Sequence, residues 1–425
     1  MTDERLIDRL QRAAFGYFSG AFNPANGLVA DTSRAGSPCS IAVVGFALAT
    51  YPVAVERGWI GRRDAVQRAL ATLRFFHESD QSGAADATGH KGFYYHFLDM
   101  DSGTRMWRSE LSTIDTALFI AGALLVARYF TDDTHDEHEL RFLADALYLR
   151  VDWQWACADR PTIRQGWKPE CGFLHYGWDG YDEGILLYVL AAGSPTHPID
   201  SARYAAWTAT YQWENLYGEE FLYAGPLFVH LFSHAWIDFR GIRDPFMREK
   251  RSDYFENTRR AIAVQREYAW RNPHGFAGYD RDCWGLTACD GPDESNPQLA
   301  NHLGRLYGYA ARGVPYGPDD GTLSAWLGLC CLPFDPAVAL SATHALLQRY
   351  PQTLQKERFA SGFNPSLADD DGAPWVSAGA FGLDQGLVVM MVENHRSGLI
   401  WNLMRDCGYL RNGLRNAGFG EGWLE

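Results

Sequence analysis

Apolar residues recur at the spacing of one helix face along almost the whole chain, so the dominant period is helical. Leu6, Leu10, Ala13, Ala14 and Tyr17 form the first stripe, residues 41–55 are an apolar run closed by Gly58, and residues 65–76 are amphipathic. Residues 111–129 are apolar on nearly every side, the pattern of a helix surrounded by protein. Further helices are predicted at 138–156, 182–192, 201–211, 227–236, 254–272, 301–311, 336–350 and 384–405. Strand character is confined to short pieces such as 92–98, which alternates and ends in Asp99-Met100-Asp101-Ser102-Gly103, a turn with hairpin chemistry.

Long loops rich in Gly, Pro, Trp and Asp separate these helices, notably 158–181, 273–298, 312–323 and 360–383. Loops of that length in a compact domain usually carry function. No Ser/Gly linker, repeat or composition shift divides the 425 residues, so one domain spanning 1–425 is expected. Roughly a dozen helices with long loops at one rim predict an all-α double ring of paired helices, an (α/α) barrel with a small β-hairpin excursion.

Charge and cysteine usage remove several function classes. Lys and Arg number 38 against 52 Asp and Glu, a net charge of −14 without a basic cluster, so nucleic acid is not an expected partner. The eight cysteines contain no CxxC pair, and neither metal nor organic cofactor is expected. His230 and His234 have two-His helix spacing, but Leu231 follows the first where the zinc motif has Glu, which favours a core pair. There is no G-x-S-x-G elbow, P-loop or dinucleotide fingerprint. The opening Met1-Thr2-Asp3-Glu4-Arg5 leads into an amphipathic stripe rather than an apolar leader or a membrane span. The cytoplasm is the expected compartment, or the periplasm if a leader has been removed. Aromatics are abundant, with 15 Trp and 21 Tyr, and these are also the flat faces on which sugar rings stack.

The chemistry concentrates in Trp178-Asp179-Gly180-Tyr181-Asp182-Glu183-Gly184, at the mouth of an apolar helix. Asp179 or Asp182 can cap that helix, leaving Glu183 in its first turn beside Trp178 and Tyr181; equally, all three acids can be a solvated helix end. Asp115 shares the apolar face of its helix with Leu111 and Phe119, which calls for a partner or a catalytic task, while Ser112-x-x-Asp115 also fits a capping box. Asp384 opens another apolar helix as a catalytic carboxylate or an N-cap, and Glu393 is a substrate contact or an anchor for that helix. Asp290, in Cys289-Asp290-Gly291-Pro292-Asp293-Glu294, suits sugar hydroxyls or simply a solvated turn.

Several longer motifs carry a family resemblance. Ser109-Glu110-Leu111-Ser112-Thr113-Ile114-Asp115, Tyr176-Gly177-Trp178-Asp179-Gly180-Tyr181-Asp182-Glu183, Ser233-His234-Ala235-Trp236-Ile237-Asp238, Trp284-Gly285-Leu286-Thr287-Ala288-Cys289-Asp290-Gly291-Pro292 and Asp384-Gln385-Gly386 occur in order. Together with segments 150–153, 193–198, 226–230 and 253–257 they resemble the glucoamylase-like domain family. That family includes bacterial β-1,2-glucanases of glycoside hydrolase family 144 and a domain of cyclic β-1,2-glucan synthases. The resemblance implies an (α/α)6 barrel that hydrolyses β-1,2-linked glucan or sophoro-oligosaccharides with inversion and without a cofactor, and it makes Glu183 the general acid.

Inversion needs a second carboxylate to activate water on the far side of the sugar. Asp115 is the first choice for that base and Asp384 the second. A helix N-terminus lowers a carboxyl pKa, so Glu183 keeps its proton only if burial and neighbouring acids outweigh the dipole. Trp153, Trp178, Trp284 and Trp375 are the stacking candidates, with Tyr181, Asp179, Asp182, Asp290, Arg240 and Glu393 as further substrate contacts. The alternatives are a transglycosylase or phosphorylase on the same chains, a hydrolase of another β-glucoside, and a sugar-binding protein without catalysis. A phosphorylase would need Arg240 and Arg243 beside the acids as an anion pocket.

Overall fold

The computed structural model describes residues 2–293, 305–369 and 371–425. Glu294 of the acidic loop and residues 301–304 of the predicted helix 301–311 lie outside them. Two kinds of helix alternate along the chain. Asp3–Gly20, Arg62–Glu78, His135–Arg150, Ser201–Thr208, Tyr254–Arg271 and Pro336–Arg349 each keep an exposed face. Between them come Ile41–Glu56, Thr113–Tyr129, Ile185–Gly193 and Gly382–Arg396, buried along almost their whole length. Two 3₁₀ turns, Leu227–His230 and Ser233–Ala235, and the short helix Leu327–Cys330 occupy the remaining buried places in the alternation.

The buried helices pack through their backbones. A Cβ on Gly122 would stand 2.1 Å from the Gly45 carbonyl oxygen, and one on Gly45 would stand 2.4 Å from that of Leu118. Only glycine permits that approach. Helix Ile41–Glu56 thus contacts Thr113–Tyr129 on one side and Gly382–Arg396 on the other.

The strands are short and fasten the N-terminal ends of the buried helices. Cys39–Ser40 runs into Ile41–Glu56, Leu111–Ser112 into Thr113–Tyr129, and a bridge between Thr32 and Phe381 precedes Gly382–Arg396. An antiparallel five-stranded sheet orders Gly89–His90, Phe93–Tyr95, Leu111–Ser112, Gly166–Lys168 and Gly172–Phe173, with Tyr94 opposite Ser112 and Ser112 opposite Gly166. A three-stranded sheet joins Leu323–Ser324, Gly362–Ala368 and Pro374–Val376. The fold is mostly helical with a few small sheets, as the apolar period predicts.

Several local expectations are corrected. The 92–98 segment is not a lone hairpin: Phe93–Tyr95 joins the five-stranded sheet, whereas Phe97–Leu98 pairs with Cys39–Ser40. The described part of 301–311 is not helical and ends in the strand Ala310–Ala311. Segment 227–236 forms 3₁₀ turns held by tertiary bonds, Leu227 N–H donating to the Leu286 carbonyl at 3.1 Å and Phe228 N–H to Thr287 Oγ1 at 2.9 Å. Gly398, at φ +69°, breaks 384–405 into Gly382–Arg396 and Leu399–Arg405. Among the described residues no helix is long and apolar enough to cross a membrane.

Candidate active site

The N-terminal ends of the buried helices surround a cavity of about 770 Å³, and among the described residues six carboxylates line it: Asp31, Glu110, Asp115, Glu183, Asp290 and Asp384. Asp115 is positioned by its N-cap. The Ser112 hydroxyl accepts from the Asp115 N–H at 3.3 Å and donates to Asp115 Oδ2 at 2.5 Å, so the serine half of the capping box forms while the carboxylate borders the cavity.

Glu183 lies in a turn, because its helix begins only at Ile185. The Ser233 hydroxyl donates to the Glu183 carbonyl at 3.2 Å and accepts from Leu186 N–H at 3.2 Å, clamping the turn to the 3₁₀ segment. Asp182, not Asp179, meets the helix end, its Oδ1 accepting from Gly184 N–H at 2.8 Å. Trp178 lines the cavity, and its indole N–H donates to Thr113 Oγ1 at 2.9 Å, on the helix that bears Asp115.

Burial decides the protonation of this site. It lifts the Glu183 carboxyl to about 7, with the charge of Asp115 adding and a backbone hydrogen bond opposing. Burial, and then Glu183, hold Asp182 well above the carboxylate range. Asp31 is pushed up to about 6 by burial, against His96 and with Asp115. Asp384 is raised well above its ordinary value by burial, with hydrogen bonding from Ser361 and Trp326 opposing and the charges of Asp31 and Asp290 adding.

The cavity also holds residues that sequence patterns missed. His96 Nδ1–H donates to Glu110 Oε1 at 2.9 Å, and its Nε2 stands 3.5 Å from Asp115 Oδ2. Burial opposes the imidazolium, but the charges of Asp115, Glu110 and Asp31 outweigh it and raise His96 to about 9. Arg34 pairs with Asp290, which also accepts from the Ser377 hydroxyl at 2.6 Å, tying the 31–38 loop across to the far wall. Trp107 and Tyr309 line the cavity while 66% and 56% exposed, the state of an aromatic plane available to a ligand. Trp107 holds φ +53° and Arg108 φ +52°, a left-handed pair that presents the indole.

Other expected contacts stand away from the cavity lining. Trp153 is fully buried against Phe93, at 5.4 Å between ring centroids, and Trp284 is buried too. Trp375 lies on the strand Pro374–Val376, opposite Asn364. Tyr181 packs on His230 and Tyr254, and Asp179 accepts from Thr162 Oγ1 at 2.7 Å. Arg240 pairs with Asp238 over the Trp401 ring, and Arg243 pairs with Glu421. Glu393 is clasped by Arg57 through two bonds of 2.8 Å and anchors its helix. His230 and His234 are buried, and burial depresses them to about 4 and about 3, so they are a neutral core pair. Among the described residues no group of three or more His, Cys, Asp and Glu is arranged to hold a metal ion.

Residues 175–408, more than half of the 425, match the family model described as Glycoamylase. The chain belongs to the Glycoamylase family. The matched stretch of this Glycoamylase member contains Glu183, Asp290 and Asp384, whereas His96 and Asp115 lie upstream of it. The chain is 25% identical, over 98% of its length, to an exo β-1,2-glucooligosaccharide sophorohydrolase (non-reducing end) from Parabacteroides distasonis, and spans 58% of that relative's length. Among solved structures, a candidate glucoamylase from Bacteroides uniformis superposes with a TM-score of 0.88 at 26% identity, covering 100% of this chain and 99% of that one. A β-1,2-glucanase from Parabacteroides distasonis gives a TM-score of 0.86 at 25% identity over 98% of this chain and 60% of its own. An endo-β-1,2-glucanase from Chitinophaga pinensis, bound to sophorotriose and glucose, shares the Glycoamylase member's fold, with a TM-score of 0.85 at 24% identity and full coverage of both chains.

Proposed function

We propose that the chain hydrolyses β-1,2-linked glucan or sophoro-oligosaccharides with inversion, using one (α/α)6 toroid that spans 1–425. Six helices with exposed faces alternating with six buried segments support the toroid. The observation that carries the function is the presence, in one cavity, of a carboxyl that burial keeps protonated up to about pH 7 and a second carboxylate beside an imidazolium. Relatives named as a sophorohydrolase and β-1,2-glucanases support the linkage.

In this mechanism Glu183 gives its proton to the glycosidic oxygen as the bond breaks. Asp115 takes a proton from water attacking the anomeric carbon from the opposite face, and inversion calls for about 6.5–9.5 Å between the two carboxyls. The developing positive charge is stabilised by the surrounding carboxylates. Asp384 is the second candidate for the base; held well above its ordinary value, it is better suited at neutral pH to donate a hydrogen bond to a sugar hydroxyl. The distance of Arg240 and Arg243 from the cavity, and the pairing of Arg34 with Asp290, speak for a hydrolase over a phosphorylase.

The test is incubation with linear β-1,2-glucan, with product sizing and proton NMR of the first-formed anomer. The α-anomer is expected. A β-anomer overturns inversion, and no turnover of any β-1,2-glucan overturns the substrate. Disaccharide alone would mean exo action and a ladder endo action.

A further inference from the structure

His96 takes no chemical step in the mechanism above, yet it is held from several sides in the cavity. Its backbone is pinned on both sides: its N–H donates to the Glu110 carbonyl at 2.9 Å, and its carbonyl accepts from Ile41 N–H, at the start of a buried helix, at 3.2 Å. Its ring stacks on Phe97, with centroids 3.9 Å apart and planes at 14°. The imidazole therefore has one orientation, with Nδ1 on Glu110 at 2.9 Å and Nε2 facing Asp115 Oδ2 at 3.5 Å.

Three acids face this ring from three parts of the chain: Glu110 and Asp115 from either side of the strand Leu111–Ser112, and Asp31 from the loop that precedes Cys39–Ser40. Two cations stand behind them, Arg34 near Asp31 and Lys168 near Glu110. Among the described residues His96 is the one positive group paired with Asp115 in this cluster, and the Ser112 hydroxyl occupies the same carboxylate oxygen at 2.5 Å. Both partners address Oδ2, which leaves Oδ1 for a water.

We propose that His96 is a positioning residue that bridges Glu110 and Asp115, holding the Asp115 carboxylate with Oδ1 turned to the attacking water. The proposal rests on Asp115 as the base. Glu110 holds the proton on Nδ1, and the resulting cation faces the Asp115 carboxylate through Nε2 at 3.5 Å. A ring with a merely structural role would support the rim without aligning Asp115 for the attacking water.

Two measurements test this, one of which needs no substrate. In the wild-type protein, NMR titration of the His96 ring should place its midpoint well above 7, and Asp115→Asn and Glu110→Gln should each bring it down. A wild-type midpoint at or below the ordinary value of 6.5 overturns the bridge, whatever the substrate proves to be. On linear β-1,2-glucan, His96→Gln keeps a donor of similar reach but no charge. Its kcat should fall while KM stays within about twofold, because Asp115 loses its alignment but the sugar contacts remain. An unchanged kcat overturns the proposal. If the wild-type protein turns over no β-1,2-glucan, the substrate assignment fails while the ring titration still decides the bridge.

Discussion

Replacing Glu183 with glutamine removes the proton that the cavity is arranged to hold, and the effect on stability has a definite sign. Burial first, with Asp115 adding, raises this carboxyl from 4.5 to about 7, whereas the unfolded chain leaves it near its ordinary value. Between those values the native protein binds a proton that the unfolded chain releases, so stability falls as pH rises through the window and the loss is complete above about 7. Below about 4.5 both states hold the proton and no penalty remains. At about 1.4 kcal/mol per pH unit the gap amounts to about 3 kcal/mol, and because Asp182 shares the environment this is the most that glutamine can recover. Glu183→Gln and the parent should melt together near pH 4, while at pH 8 the variant should melt higher by up to about 4 °C, given about 2 cal/mol/K of unfolding entropy per residue. Scanning calorimetry at pH 4, 6 and 8 reads this, and turnover of linear β-1,2-glucan should fall about 10²- to 10⁴-fold. A melting difference that stays flat from pH 4 to 8 would show that burial does not hold the proton, and undiminished turnover would remove Glu183 as the acid.

Asp115→Asn should lose about 10²- to 10⁴-fold in kcat, and azide should restore turnover by forming the α-glucosyl azide without a base; rescue of Asp384→Asn instead would move the base to Asp384. Trp107→Ala should raise KM about 2- to 12-fold, the equivalent of about 0.5–1.5 kcal/mol of aromatic contact, and leave kcat nearly unchanged; a KM that does not move would sink the stacking role. Gly122→Ala should destabilise the fold by about 1–3 kcal/mol or more, because the new Cβ would stand 2.1 Å from the Gly45 carbonyl oxygen; chemical denaturation with an unchanged midpoint would contradict that contact.

The helices were legible wherever the apolar period was long. Ile41–Glu56 and Thr113–Tyr129 lie within two residues of the pattern at both ends. The strands were not, because two-residue strands exist only through distant partners: Leu111 lies opposite Trp167, and no local alternation reports such a pair. Segment 301–311 reads as helical through its apolar spacing, but in its described part the Tyr309 ring stacks on Phe381 at the cavity wall, 5.9 Å between centroids. The same division holds for the site. Glu183, Asp115, Asp384 and Asp290 stood out as acids among apolar or aromatic neighbours, and the cavity gathers all four. Asp31, His96 and Glu110 left no local signature, since they meet only when Phe97–Leu98 pairs with Cys39–Ser40 and Tyr94 pairs with Ser112. The tryptophans divided by face: Trp153 entered the core, and Trp107, in an irregular turn with no period to flag it, reached the cavity.

The glycine contact between the helices Ile41–Glu56 and Thr113–Tyr129 has a consequence for how such a site can change. With a carbonyl oxygen where a methyl group would have to go, these two helices are already at their closest approach, and any larger residue there would drive them apart and displace Asp115, in the first turn of the second. The distance between these two helices is therefore a fixed dimension. Change in what the cavity admits has to come from its rim, through segments such as the 31–38 loop and the turn that presents Trp107, where residues can be exchanged without moving the buried helices.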